Sequence, residues 1–136
     1  MDNARKPLRI GILGAARIAP SAIIFPAQAT GHKLLAVGAR DKAKATQFAK
    51  QHMIEKVYGS YQEVIDDPEI DVIYNPLPNN AHGPWNIKAL AAGKHVLSEK
   101  PSASNAAEAK EVAAAVSKSG KIFMEGFHYY YHPVFQ

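Results

Sequence analysis

Short apolar runs alternate with helical patterns along the whole chain, and this alternation restricts the fold more than any other feature. The apolar runs predict six β-strands, at residues 8–13, 33–39, 56–58, 71–74, 95–97 and 121–124. The segments between them predict helices over 18–29, 41–51, 60–67, 81–92 and 105–119. Strands joined by crossover helices lie parallel, so the sequence predicts an α/β fold, a doubly wound parallel sheet with helices on both faces.

Polar residues at the helix ends support these boundaries. Ser60 is followed three residues later by Glu63, and Asn105 by Glu108, and both pairs have capping-box spacing. Asp41 precedes the second helix in the position of an N-cap. The helices therefore have specific start signals in addition to their apolar periodicity.

Composition excludes several classes of protein. A chain of 136 residues is long enough for one core, and it holds no cysteine for a disulfide or a thiolate metal site. Its sixteen Lys and Arg are interleaved with twelve Asp and Glu, without the basic stripe of nucleic-acid-binding domains. No apolar run reaches the roughly 18 residues that a membrane span needs. We expect a cytoplasmic protein that binds no nucleic acid, no membrane and no metal.

Small residues occupy the end of the first predicted strand and the turn that follows it. The residues predicted to contact a cofactor there are Gly11, Gly14, Ala15, Ala16, Arg17 and Ile18, and Ala19 completes the motif. The spacing Gly14-x-Ala16-x-x-Ala19 is that of the dinucleotide-binding fingerprint, with alanine where the backbone approaches the pyrophosphate. The following helix N-terminus would offer free N–H groups to a phosphate. A tight turn that serves only sheet packing explains the same residues.

The end of the second predicted strand indicates which dinucleotide is bound. Where NAD-binding domains place a carboxylate for the ribose hydroxyls, this chain has Ala39, followed by Arg40. An alanine removes the charge that would repel a 2′-phosphate, and a guanidinium binds that phosphate in a bidentate manner. The sequence therefore predicts NADP rather than NAD. The alternative is that Arg40 is an ordinary solvated arginine.

A Glu-Lys pair follows the fifth predicted strand. Gly93 ends the preceding helix, and Pro101 follows Glu99 and Lys100. The carboxyl ends of parallel strands border the ligand crevice of such sheets, so both charged side chains are expected there. The alternative is a solvated charged loop.

Four segments, at residues 11–19, 71–82, 92–101 and 124–127, occur in an order that resembles one family. It is the glucose-fructose oxidoreductase and inositol dehydrogenase (Gfo/Idh/MocA) family of NAD(P)-dependent oxidoreductases, and the similarity runs from about residue 8 to 133. Within the family the chain is most similar to the dihydrodiol and xylose dehydrogenase branch. The resemblance implies a Rossmann domain at 1–126, with 127–136 beginning a connection to a second, α+β substrate domain that is missing from this chain.

The resemblance also implies roles for individual residues. Glu99 and Lys100 would be catalytic and would also contact the cofactor, with the lysine on the substrate hydroxyl and the nicotinamide ribose. The other implied cofactor contacts are Leu77, Pro78, Asn79, His82 and Glu125. His82 has the alternative of a capping or packing role, and Asn79 that of an Asx-turn residue. A lysine amine accepts the hydroxyl proton only in its neutral form; otherwise it hydrogen-bonds and places a charge.

Three functions remain open from the sequence. The first is the cofactor half of an NADP-dependent oxidoreductase acting on a hydroxylated small molecule, namely a sugar, polyol or cyclic diol. The second is a stand-alone NADP-binding module without turnover, and the third a non-redox domain that binds another adenine nucleotide. For the first, the resemblance implies a homo-oligomer formed through the missing domain.

Two further segments lack an assigned function. Asp66, Asp67, Glu69 and Asp71 are expected to form a solvated loop rather than a metal cluster. The aromatic residues after Gly126 are expected to pack against the domain or to lead into a partner, because exposed rings would form an unusual apolar patch.

Overall fold

The computed structural model describes residues 6–135 and has one six-stranded sheet in the order β3-β2-β1-β4-β5-β6, with every neighbouring pair parallel. The strands are β1 Arg9–Leu13, β2 Lys33–Gly38, β3 Lys56–Tyr58, β4 Val72–Asn75, β5 His95–Ser98 and β6 Phe123–Glu125. This order confirms the predicted doubly wound fold. The order in which the chain adds strands to the sheet reverses between β1 and β4, and such sheets have their ligand crevice at this point.

In the part of the chain that the structure describes, five α-helices connect the strands. They are α1 Phe25–Ala29, α2 Lys42–His52, α3 Tyr61–Asp66, α4 Asn79–Ala91 and α5 Ala106–Ser119. Three N-caps are confirmed: the side chains of Asp41, Ser60 and Asn105 each accept a hydrogen bond from a backbone N–H in the first turn. Helix α4 begins at Asn79, two residues before the predicted start at residue 81.

The first helical segment differs from the prediction of one helix over 18–29. A π-helical turn at Pro20–Ile24 precedes α1, and the Phe25 N–H donates to the Pro20 carbonyl. Pro26 has no N–H and its ring would clash with the carbonyl four residues earlier, so regular α-helical bonding is interrupted here. The prediction treated the apolar periodicity as continuous and missed this effect of Pro26.

The two faces of the sheet are covered by different helices. On one face Ile10 and Ile12 pack with Ala27 of α1 and Ala45 of α2. On the other face, side chains of β1, β2 and β4 pack with those of α3 and α4, including Val64 and Leu90. Helices on both faces are therefore confirmed. Within residues 6–135, no helix has the combination of length and apolar character that a membrane crossing requires.

The prediction of a solvated acidic loop before β4 holds for Asp66 and Glu69, which are exposed, and is wrong for Asp67 and Asp71. Asp67 is buried and accepts hydrogen bonds from Lys56 Nζ at 2.9 Å and from the Tyr58 hydroxyl at 3.0 Å. Asp71 is half-buried and pairs with Arg9. Lys56, Tyr58 and Arg9 lie 11, 9 and 62 residues from their partners in the sequence, so the local pattern of acidic residues did not reveal them.

The aromatic segment after β6 forms two short 3₁₀ turns, His128–Tyr131 and Pro133–Phe135. Phe127, Tyr129 and Tyr130 remain 53, 60 and 69% exposed. The rings contact one another, as Phe127 and Tyr129 do at 5.9 Å between centroids, instead of inserting into the core. Phe127, His128 and Tyr131 border a cavity with residues of the domain, so the packing against the domain is partial, and the alternative that the segment leads into a partner stays a prediction.

Candidate cofactor and active site

The loop after β1 has a conformation that requires glycine at one position. Gly14 has φ +89°, and its N–H donates to the Gly38 carbonyl at 2.6 Å, which joins the ends of β1 and β2. Gly11 lies within β1, where an added Cβ would meet side-chain atoms of Ile70 and Val64 at 2.7 Å. Gly14 therefore shapes the loop, whereas packing explains Gly11.

The rest of this loop is partly exposed to solvent. Ala15 and Ala16 are half-buried and Arg17 and Ile18 are exposed, so this backbone can be approached from outside. Ala19 is fully buried and belongs to the core beneath the following turn.

Two adjoining cavities lie at the carboxyl ends of β1, β2 and β4. The first, about 400 Å³, is lined by Gly14, Ala15, Ala39, Arg40, Asp41, Lys44 and Tyr61. The second, about 370 Å³, is lined by Arg40, Ser60, Tyr61, Leu77, Pro78, Asn80, Ala81 and Trp85. Arg40 and Tyr61 border both, so the structure brings the glycine loop, the Ala39-Arg40 pair and the segment after β4 to one crevice.

Three charged side chains line the first cavity, and they differ in how far they are already hydrogen-bonded or paired. Asp41 Oδ1 accepts from the backbone N–H groups of Ala43 and Lys44, at 3.0 and 3.2 Å, and so serves as the cap of α2. Arg40 is exposed and Lys44 also lines the cavity. Lys44 Nζ lies 4.0 Å from Asp41 Oδ2, so the positive charge that favours an anionic ligand is mainly that of Arg40. Lys44 was not among the predicted cofactor contacts, although its position in the first turn of α2 can be read from the sequence.

An aromatic pair forms one wall of the second cavity. Tyr61 and Trp85 lie edge to face with ring centroids 5.2 Å apart, and Lys88 Nζ lies 4.1 Å from the Trp85 ring centroid. This wall was not predicted, because its residues come from α3 and α4 and lie far apart in the sequence.

A third cavity, about 220 Å³, lies beyond the ends of β4, β5 and β6. Its polar lining includes Tyr74, Glu99, Glu125 and His128. The Tyr74 hydroxyl donates to Glu99 Oε1 at 2.9 Å, and the residues are only 1 and 9% exposed. Burial and this hydrogen bond raise the pKa of Tyr74 well above its ordinary value, so the phenol stays protonated and donates. Lys100 follows Glu99 in the sequence, but its side chain is exposed and does not line this cavity.

Buried polar side chains lie behind this third cavity, between α4 and β5. The amide of Asn75 donates to Asn86 Oδ1 at 2.8 Å, and Asn86 Nδ2 donates to Ser98 Oγ at 3.0 Å. Asn75 Oδ1 also accepts from the Leu77 N–H and so forms an Asx turn. The sequence had suggested such a turn for Asn79 instead. Asn79 itself is exposed at the start of α4.

His82 is not at the surface of any of these cavities. It is 1% exposed, and its Nδ1 lies 2.5 Å from the Pro101 carbonyl oxygen, so the ring faces the loop that follows β5. This position gives the predicted contact between His82 and the cofactor no geometric support. It agrees with the alternative of a packing residue.

Comparisons with known proteins identify the family. The model of the Gfo/Idh/MocA oxidoreductase family, NAD-binding Rossmann fold, matches residues 8–127. The chain belongs to this family. It is 38% identical over 127 residues to D-xylose 1-dehydrogenase (NADP(+)) 2 of Haloferax volcanii, covering 93% of this chain and 39% of that protein.

Two further relatives agree with this assignment. Trans-1,2-dihydrobenzene-1,2-diol dehydrogenase of Xenopus tropicalis is 38% identical over 93% of this chain and 39% of its own length. A 3-ketoreductase from Actinomadura kijaniata, solved with NADP and TDP-benzene, superposes with a TM-score of 0.87 at 32% identity, over 94% of this chain and 39% of that chain. The relatives are oxidoreductases, and this family member spans about two fifths of their length.

Proposed function

We propose that this chain is the NADP-binding part of an oxidoreductase that transfers hydride between the nicotinamide and a hydroxyl-bearing carbon of a sugar, polyol or cyclic diol. The observation that carries the proposal is the crevice in which Gly14, Ala39 and Arg40 meet. The relatives whose names include NADP support the choice of cofactor.

The residues present fit a dinucleotide phosphate. The left-handed Gly14 keeps a side chain away from the loop, and a Cβ there would lie 3.3 Å from Leu77 Cδ2. Ala15 and Ala16 offer half-buried backbone beside it for the pyrophosphate. Ala39 brings no charge, and Arg40 supplies a fork of donors suited to a 2′-phosphate. The Tyr61–Trp85 wall is suited to the apolar faces of an adenine.

The reaction would take place at the other end of the crevice. Bound NADP supplies the hydride acceptor or donor. Glu99 is held by the Tyr74 hydroxyl at the third cavity, and Lys100 follows directly at the end of β5. We assign the Lys100 amine to the substrate hydroxyl, where it would hydrogen-bond the oxygen and take or return its proton. Glu125 Oε1 accepts from the Ser102 N–H at 2.8 Å and so orders the same loop.

Replacing Arg40 tests the choice of cofactor. We expect Arg40→Ala to weaken NADPH binding by about 10- to 100-fold, since hydrogen bonds to charged groups contribute roughly 1.5–3 kcal/mol. NADH affinity should change less than about twofold, because NADH lacks the 2′-phosphate. Lys42→Ala is the matched control, because it removes an exposed cation at the start of α2 that does not line the cavity. Fluorescence titration of the unmutated chain and both variants measures the affinities for NADPH and NADH. An equal loss of NADPH and NADH affinity in Arg40→Ala would contradict the assignment.

Turnover is tested separately. Reduction of NADP by D-xylose, polyols and trans-diols should be measurable in the protein that carries this chain, and Lys100→Met should abolish it while cofactor affinity is largely kept. Cofactor binding without turnover of any substrate by the unmutated protein would favour the stand-alone binding module.

A further inference from the structure

Two side chains on the buried side of α4, four residues apart, hold the backbone that follows Lys100. His82 Nδ1 lies 2.5 Å from the Pro101 carbonyl oxygen, and Asn86 Nδ2 donates to the Ser102 carbonyl at 3.2 Å. His82 and Asn86 are 1 and 0% exposed. A spacing of four places both on one face of the helix, so α4 presents two donors to consecutive carbonyls of one loop.

The hydrogen bond fixes the form of the imidazole. A carbonyl oxygen only accepts, so His82 Nδ1 must carry the proton and donate. Nε2 is buried and has no partner among the residues that the structure describes. The geometry therefore places a proton on Nδ1, directed at the Pro101 carbonyl.

The Asn86 amide is also fixed in orientation. Its Oδ1 accepts from Asn75 Nδ2 at 2.8 Å, which leaves Nδ2 directed at the Ser98 hydroxyl and the Ser102 carbonyl. Asn75 Nδ2 donates in addition to the His82 carbonyl at 3.2 Å. One buried network thus connects the end of β4, the middle of α4 and the loop after β5.

Bonds from the neighbouring strands complete the support of this loop. The Glu99 N–H donates to the Asn75 carbonyl at 2.9 Å, and Glu125 Oε1 accepts from the Ser102 N–H at 2.8 Å. Residues on both sides of Lys100 are therefore anchored, while the Lys100 side chain itself is exposed.

Stability alone does not account for these polar groups. A helix face packed on a sheet is covered at lower cost by apolar side chains, and an unpartnered buried nitrogen such as His82 Nε2 carries a desolvation cost. The groups bound by His82 and Asn86 are the carbonyls of the two residues that follow Lys100. Fixing this loop is the effect that distinguishes them from an apolar pair.

We infer that His82, together with Asn86, is a positioning residue that holds the loop after β5 and so directs the Lys100 amine toward the nicotinamide end of the crevice. The direction toward the nicotinamide rests on the proposed function. The support of the loop does not, and it is tested without any ligand.

The first test compares His82→Leu with His82→Asn. The Asn amide nitrogen occupies about the position of imidazole Nδ1 and keeps the donor, whereas Leu fills a similar volume without one. Amide hydrogen exchange at Ser102, measured by NMR on the ligand-free chain, should be roughly tenfold faster in His82→Leu and close to the unmutated rate in His82→Asn. Val112→Ala is the control, since it removes buried atoms from α5 and should leave Ser102 unchanged relative to global stability. Equal rates in the Leu and Asn variants would overturn the inference.

The second test separates the two ends of the crevice. His82→Leu should weaken NADPH binding several-fold and change the emission of the bound nicotinamide, whereas the affinity for 2′,5′-ADP, which lacks the nicotinamide, should stay within about twofold. His82→Asn should restore both nicotinamide readouts. Equal loss for both ligands would show a merely structural role. Failure of the unmutated chain to bind either ligand would contradict the proposed function, while the Ser102 exchange rates would still decide whether His82 holds the loop.

Discussion

The Arg9–Asp71 pair connects the starts of β1 and β4 and allows a quantitative prediction. Asp71 Oδ2 accepts from the Arg9 backbone N–H and from Nε, each at 2.9 Å, and Oδ1 accepts from Nη2 at 2.8 Å. These bonds to Arg9 lower the pKa of Asp71 from its ordinary 3.8 to about 2. The folded chain therefore binds this proton more weakly than the unfolded chain does.

The sign and size of the effect follow from this difference. A carboxyl with a lowered folded-state pKa stabilises the fold at pH values above 3.8, and the stabilisation is lost as the pH falls toward 2. A difference of about 1.8 in pKa corresponds to about 2.4 kcal/mol at 1.36 kcal/mol per pH unit. The Asp71 side chain is 29% exposed, so solvent screening reduces the expected contribution to roughly 1–2 kcal/mol.

Urea unfolding of Asp71→Asn, followed by circular dichroism from pH 7 to pH 2.5, measures this contribution. We expect the variant to lose roughly 1–2 kcal/mol at pH 7 and progressively less below pH 4. Glu55→Gln is the control, because the Lys33–Glu55 pair is half exposed on both sides and should contribute no measurable pH dependence. A loss in Asp71→Asn that is the same at pH 7 and pH 2.5 would refute the electrostatic explanation.

Two further substitutions test the packing and hydrogen bonding that shape the crevice. Tyr74→Phe should reduce the free energy of unfolding by about 1–3 kcal/mol in urea titration, since it leaves the buried Glu99 without its donor; an unchanged midpoint would show that the bond is not needed. Gly38→Ala should lower the thermal midpoint strongly, because the new Cβ would lie 2.5 Å from the Ser60 carbonyl oxygen and against Val64. Gly59→Ala is the control and should be tolerated, because the atom nearest to its new Cβ would be 3.7 Å away. Similar midpoints for the two alanine variants would contradict the packing argument.

Much of the fold could be predicted because its signals are local. The six apolar runs, the three N-caps and the left-handed Gly93 after α4 are each readable within a few residues of sequence. Boundaries were less accurate, and the π-helical turn was missed because its cause, Pro26, acts on a carbonyl in the preceding turn.

The candidate site could be predicted only in part. The segments that border the crevice follow strands, so the parallel fold brings Gly14, Arg40 and Leu77 together. The network of Asn75, Asn86 and Ser98 joins three elements, and no local pattern shows which asparagine of α4 faces inward. The orientation of His82 toward Pro101 depends on the same packing.

The thermal unfolding midpoint of this chain with saturating NADPH, with saturating NADH and without ligand tests the proposed cofactor most directly, because a ligand that binds only the folded state must raise the midpoint. We predict that NADPH raises the midpoint more than NADH does, as Ala39 and Arg40 at the crevice imply. A rise with NADH alone, or no rise with either dinucleotide, would contradict the account.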